Sequence, residues 1–138
     1  MVYLSIDYGD RRIGLAAGSI ETGLAEPLGS INSGGWTKDI AKIVRIAKER
    51  GAAAVVIGLP LNMDGSEGRR AEITRKFGGL LGDASGLPII YHDERMTSRE
   101  ASGLLARSGL SRQRRQLIID SVSAQLILEG YFRSAAGK

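Results

Sequence analysis

The sequence predicts an α/β fold, with five strands in one mixed sheet, three antiparallel and then parallel, and helices on both faces. Three observations carry this. Residues 2–31 hold three short apolar runs split by turn residues, as an antiparallel meander requires. Residues 52–57 and 88–92 are short, largely apolar runs between stretches of helical spacing, the pattern of parallel strands covered on both sides. The resulting order, β-β-β-α-β-α-β-α-α, then alternates strand and helix in the way that builds layers.

Each element follows from local chemistry. Residues 2–8 read as the first strand, and Gly9-Asp10-Arg11-Arg12 as a tight turn. Residues 13–18 and about 24–31 complete the meander, and Ser33-Gly34-Gly35 is a loop. Thr37 is placed to cap a helix whose apolar positions Ile40, Ile43, Val44 and Ala47 follow helical spacing and which ends near Gly51. Residues 52–57 form a central parallel strand, and 58–66 a loop. A helix is expected from about Ser66 to Leu81, and a buried strand over 88–92. Thr97 or Ser98 caps a further helix to about Arg107, with Glu100 in its first turn, and Gly109 breaks it. The last helix runs from about Ser111 to Phe132, and 135–138 is a frayed tail.

With 138 residues the chain reads as one domain over 1–138, large enough for a core. It has no internal repeat, no low-complexity segment and no run near the ~18 apolar residues of a membrane span. The first residues read as a strand and not as a signal peptide, and cysteine is absent, which suits a cytoplasmic protein. The lack of cysteine excludes disulfides, thiolate zinc sites and a cysteine nucleophile. A single His excludes a multi-histidine metal site, so any metal must be held mainly by carboxylates.

The formal net charge is +4, unevenly spread. Arg95, Arg99, Arg107, Arg112, Arg114 and Arg115 crowd one stretch against the single acid Glu100, and Arg69, Arg70, Arg75 and Lys76 form a second group. Arginine forks pair with phosphates and release counterions, so this clustering favours a polyanion, although a solvated basic face would look the same.

Three acids stand where apolar segments should continue. Asp7 ends the first run, Glu94 ends the run that starts at Pro88, and Asp120 interrupts 117–122. A buried charge needs a partner. One divalent cation would satisfy all three, and a hard ion such as Mg²⁺ takes oxygen ligands from few carboxylates while keeping room for a phosphate. Each acid also has a structural reading. Asp7 could cap a turn, Glu94 could close a strand-end salt bridge, and Asp120 could pair with an Arg such as Arg12 or Arg95. Adjacent strand residues point to opposite faces, so one of Asp93 and Glu94 should reach Asp7, and Glu94 is favoured. On a helix the face neighbours of Asp120 are Leu117, Ala124 and Ile127, all apolar.

Other residues carry weaker signals. Gly58-Leu59-Pro60-Leu61-Asn62-Met63-Asp64-Gly65-Ser66 follows a parallel strand, where open α/β sheets bind ligands. Asn62 and Ser66 could donate there to phosphate, beside a helix N-terminus, or the segment is a plain structured turn. It lacks the Gly-Lys-Ser/Thr of a nucleotide-binding P-loop. His92 reads as a half-buried strand histidine. Trp36 and Tyr8 could stack on bases, but lone aromatics usually pack. Ser5 and Thr97 lack a neighbouring base for nucleophilic catalysis. An Asp-x-Gly after a first strand also occurs in sugar-kinase and actin-like ATPases, which need two large domains where this chain has one.

Four segments, in this order, resemble the YqgF family. They are Asp7-x-Gly9-x-x-Arg12-Ile13-Gly14, Gly58-Leu59-Pro60-x-Asn62-x-x-Gly65, Asp93-Glu94-Arg95-x-Thr97-Ser98 and Asp120-x-x-x-Ala124-x-x-x-Leu128-x-x-Tyr131. These are small bacterial Holliday-junction-resolvase-like proteins, regarded as nucleases of pre-16S ribosomal RNA, and the resemblance covers nearly the whole chain. It implies a ribonuclease H-like fold, a bacterial cytoplasmic setting, and Asp7, Glu94 and Asp120 as the site's acids. Two departures stand out. Ser123 occupies a place where alanine is usual, and Asp10 one where an uncharged residue is common.

The expected activity is therefore metal-dependent phosphodiester hydrolysis. One or two Mg²⁺ or Mn²⁺ ions on Asp7, Glu94 and Asp120 would orient a water and stabilise the leaving oxygen. Arg12, Asn62, Arg95, Arg114 and Arg115 would grip the nucleic-acid backbone. A monomeric ribosomal RNA nuclease and a dimeric resolvase of branched DNA would carry the same site, the latter needing two-fold symmetry. A non-catalytic nucleic-acid-binding factor is the remaining reading. It gains nothing from burying three acids under a phosphate-binding face.

Overall fold

The computed structural model describes residues 1–94 and 111–136, with the backbone alone for 112–118 and 136. Five strands form one sheet: β1 (Val2–Tyr8), β2 (Arg12–Ser19), β3 (Leu24–Asn32), β4 (Ala52–Leu59) and β5 (Ile89–Asp93), in the order β3-β2-β1-β4-β5. The meander β1-β2-β3 is antiparallel, and β1-β4-β5 is parallel. The helices are α1 (Trp36–Arg50), α2 (Arg69–Ser85) and α3 (Arg112–Ala136). The helix expected over Thr97 to Arg107 lies outside the described residues.

The sheet is covered on both faces because β1 and β4 bury side chains on both. Leu4 and Ile6 of β1, Val55 and Ile57 of β4 and Leu15 of β2 point to α1 and α2, where they meet Ile43, Phe77 and Leu81. Each such side chain contributes about 1.5–3 kcal/mol when fully buried. Tyr3 of β1 and Ala54 and Val56 of β4 point the other way, to Ile127, Leu128 and Phe132 of α3. Ser5 shares that second face. It is fully buried, and its hydroxyl donates to the Ala124 carbonyl oxygen of α3 at 2.7 Å, a hydrogen bond that satisfies the group and fixes the helix along β1.

Two helix starts differ from expectation. The N-cap of α1 is Gly35 and not Thr37, and it makes no side-chain cap bond. The fully buried Asp39 does the work from inside the helix, accepting from the Gly34 N–H at 2.9 Å and the Ser33 hydroxyl at 2.6 Å. Helix α2 begins at Arg69 and not at Ser66. Residues before it are held in a closed loop in which Asn62 N–H donates to the Ser66 carbonyl at 2.9 Å and Leu61 bridges Glu67. It continues past Leu81 to Ser85, where Gly86 turns left-handed at φ 71° and ends it.

Candidate active site

The C-terminal ends of β1, β4 and β5 lie side by side, and the α3 face of that edge collects the acids. Side chains alternate along β1, so Asp7 shares the α3 face with Tyr3 and Ser5, while Tyr8 turns to the opposite core. Asp7 pairs in register with Gly14 of β2. A Cβ on Gly14 would lie 1.9 Å from the Asp120 backbone oxygen, so glycine is what lets α3 press onto β2 beside Asp7.

Glu94 follows β5, its N–H donating to the Leu59 carbonyl of β4 at 3.3 Å. Its carboxyl occupies the space above Gly58, where a Cβ would meet Glu94 Oε2 at 2.6 Å and Ile127 Cδ1 at 2.5 Å. There it faces the Asp7 carboxyl, each raising the cost of charging the other. Asp93 points away and is exposed, so the strand alternation selects Glu94 as the partner of Asp7. Burial pushes the Glu94 carboxyl up to about 9, with the Asp7 charge and the hydrogen bond to Asp7 adding to it. Burial also pushes Asp7 up to about 6, against the hydrogen bond it receives from Glu94, while the Asp120 charge adds to the rise and Arg70 opposes it. Burial and mutual repulsion thus make it costly for both carboxyls to be charged at once.

Asp120 is near enough for its charge to act on Asp7, but its carboxylate is also engaged elsewhere. Arg12 Nε donates to Asp120 Oδ2 at 2.5 Å, with both side chains largely covered. The pairing of Asp120 with Arg12, one of the two readings the sequence allowed, is the arrangement found. Arg12 is accordingly turned inward to an acid. Among the described residues, no three of His, Cys, Asp and Glu form a ready-made metal cluster. The donor set nonetheless suits a hard divalent cation: it is all oxygen, two buried carboxyls face each other, and the charge of a third acts on Asp7.

The remaining candidates divide. The Asn62 amide donates to the Ser66 hydroxyl at 2.9 Å, and its side chain lies under Gly68 at the start of α2, so it organises the loop. Arg95 lies outside the described residues, as do the side chains of Arg114 and Arg115. Trp36 and Tyr8 pack: Trp36 Nε1 donates to the Tyr8 hydroxyl at 2.6 Å, and Tyr8 stacks on Phe77 at 4.5 Å. His92 is half-buried edge-on to Tyr131, and burial lowers its pKa. One residue near the site was read from sequence only as a member of a basic group and not as a site residue. Arg70, in the first turn of α2, acts electrostatically on both Asp7 and Glu94. Its position just after the loop that follows a parallel strand was the available signal.

Comparison with known proteins shows the family and the fold. A family model described as "RuvX: Holliday junction resolvase" matches residues 1–134. A Chloroflexus aurantiacus protein named "Putative pre-16S rRNA nuclease" is 40% identical over 130 residues, covering 94% of this chain and 85% of its own. A Neisseria meningitidis protein of the same name is 36% identical over 129 residues, covering 94% and 85%. Among solved structures, T. thermophilus RuvC in complex with a Holliday junction substrate superposes with a TM-score of 0.63 at 16% identity, covering 100% of this chain and 97% of that one. That likeness shows a ribonuclease H-like fold.

Proposed function

The chain belongs to the RuvX (YqgF) family, and from that premise we propose how its acidic cluster works. The protein is a nuclease, a hydrolase of phosphodiester bonds, that acts on pre-16S rRNA in ribosome biogenesis. The observation that carries the site assignment is the convergence of Asp7 and Glu94 on one sheet edge, with Asp120 beside them.

In this reading Asp7, Glu94 and Asp120 hold the metal. A bound Mg²⁺ or Mn²⁺ supplies an activated water and charge neutralisation at the scissile phosphate. The protein's own groups prepare the place. The Asp7 and Glu94 carboxyls, each costly to charge beside the other, would be doubly anionic ligands with a cation between them to offset their charge. Gly14 and Gly58 leave the space in which Asp120 and Glu94 stand. Arg12 orients Asp120, and the arginines of the stretch from Arg95 to Arg115, Arg114 among them, neutralise the nucleic-acid backbone. The bacterial cytoplasm is where such a precursor is made.

The test is cleavage of a labelled pre-16S RNA fragment and of a four-way DNA junction with Mg²⁺ and Mn²⁺, comparing the wild type with Asp7→Asn. Metal-dependent RNA cutting that the variant loses supports this reading. Symmetric nicking of the junction alone moves the substrate to branched DNA. Full activity in Asp7→Asn removes the acid cluster from the mechanism.

A further inference from the structure

The cations around the acid cluster are not equivalent. Arg12 is spent on Asp120, with both side chains largely covered. Arg75 is held by two hydrogen bonds to Glu67, at 2.6 and 2.9 Å, and lies 4.7 Å from the Tyr91 ring centre. Lys76 pairs with Glu72 one helical turn away at 3.9 Å. Arg70 differs from these. Its Nη1 donates at 3.0 Å to Oδ2 of Asp10, which sits in the β1–β2 turn three residues beyond Asp7. The pair spans the opening between that turn and the start of α2, and its side chains are 53% and 78% exposed.

We infer that Arg70 is a phosphate-binding residue of this site, and that Asp10 is a resident competitor which a backbone phosphate of the nucleic acid displaces. The inference rests on the nuclease reading above. An exposed ion pair is held weakly because water competes for both charges, so exchanging one anion for another costs little. A guanidinium carries five N–H donors in a planar fork, and the bond to Asp10 engages Nη1, leaving geometry for a phosphate to take the same fork by two oxygens. The position is right for the chemistry. Arg70 stands in the first turn of α2, after the loop that follows β4, and its partner Asp10 follows β1, so a phosphate on this arginine lies at the same end of the sheet as the acids that would hold the metal. Asp10 then sets a threshold, since a backbone phosphate, itself singly charged, must hold the guanidinium better than one exposed carboxylate does.

The experiment measures binding of a labelled RNA oligonucleotide in EDTA, where cleavage is silent, across a salt series for wild type, Arg70→Gln, Asp10→Asn and the double variant. Thermal melts confirm that each surface variant is folded. Arg70→Gln is expected to weaken binding and to flatten the slope of log affinity against log salt by about one, as for the loss of one phosphate contact. Asp10→Asn is expected to tighten binding about two- to fivefold, the worth of an exposed pair, and to do so only while Arg70 is present. Wild-type affinity and slope in Arg70→Gln overturn the inference. So does an equal gain from Asp10→Asn in the Arg70→Gln background, because Asp10 would then act through the general field and not through Arg70. A wild-type protein that binds RNA but never cuts it with Mg²⁺ or Mn²⁺ defeats the nuclease reading instead, and the two failures are told apart.

Discussion

Arg12 of β2 donates through Nε to Asp120 of α3 at 2.5 Å, joining the strand beside Asp7 to the helix that crosses it. Both groups are mostly withdrawn from water, so removing one strands the other. Arg12→Ala is expected to lower stability by about 1–3 kcal/mol in urea unfolding, the range for a hydrogen bond to a charged group. Arg12→Lys should recover only part, since an ammonium cannot reproduce the Nε geometry. Unchanged unfolding of Arg12→Ala would mean that the pair adds nothing.

Gly14→Ala should damage the site more than the size of a methyl group suggests. The new Cβ would lie 1.9 Å from the backbone oxygen of Asp120, and backbone on both sides cannot rotate aside. A loss of about 1–3 kcal/mol is expected from the forced shift of α3, together with loss of cleavage as Asp120 leaves Asp7. Wild-type activity in this variant would show that the Asp120 backbone position is not needed.

The burial of the Asp7 and Glu94 carboxyls predicts a pH dependence. Glu94 ordinarily titrates near 4.5 and is pushed up to about 9 in the folded chain. Its contribution to stability is complete below the ordinary value, falls as the unfolded chain ionises first, and is gone once the pH passes the folded value. Asp7, raised from 3.8 to about 6, adds in the same direction at lower pH. The melting temperature of protein in EDTA should therefore fall from pH 5 to pH 9, and Glu94→Gln should flatten that fall. Mg²⁺ or Mn²⁺ binding should release a proton at neutral pH and tighten as pH rises, which calorimetry in buffers of different ionisation enthalpy reads directly. Binding without proton release would separate Glu94 from the cation.

Ser123 offers a stability gain. It is fully buried, and its hydroxyl has no hydrogen-bond partner among the described residues. Ser123→Ala removes an unpaired polar group from the core, so unfolding should show equal or higher stability, by up to about 1 kcal/mol. A clear loss would reveal a partner for the hydroxyl.

Much of this was legible in the sequence, for identifiable reasons. The strand and helix order followed from period and turn residues, and Asp7, Glu94 and Asp120 stood out because a charge at the end or middle of an apolar run is costly. Strand alternation said that one of Asp93 and Glu94 reaches Asp7, and which one depended on the register of β5 beside β4. Other features depended on which distant segments meet. Nothing local says that Gly14 faces the backbone of Asp120 or that Gly58 makes room for Glu94, because both glycines are explained by neighbours from the far end of the chain. Arg70 looked like one more surface charge until Asp10 and the acid pair were beside it. The α1 cap was missed because Asp39 reaches back to Ser33 and Gly34 from within the helix, whereas the sequence rule seeks a side chain at its threshold.

The contacts that seat α3 span most of the polypeptide. Ser5 and Ala124 are 119 positions apart, and Arg12 and Asp120 are 108 apart. During synthesis Asp7 leaves the ribosome early, Glu94 later, and the helix that carries Asp120 later still. A chain still being translated can therefore lay down β1 to β5 without a finished acid cluster. The edge that carries Asp7 is thus completed by its most distant contacts, made only when α3 docks on β1 and β2.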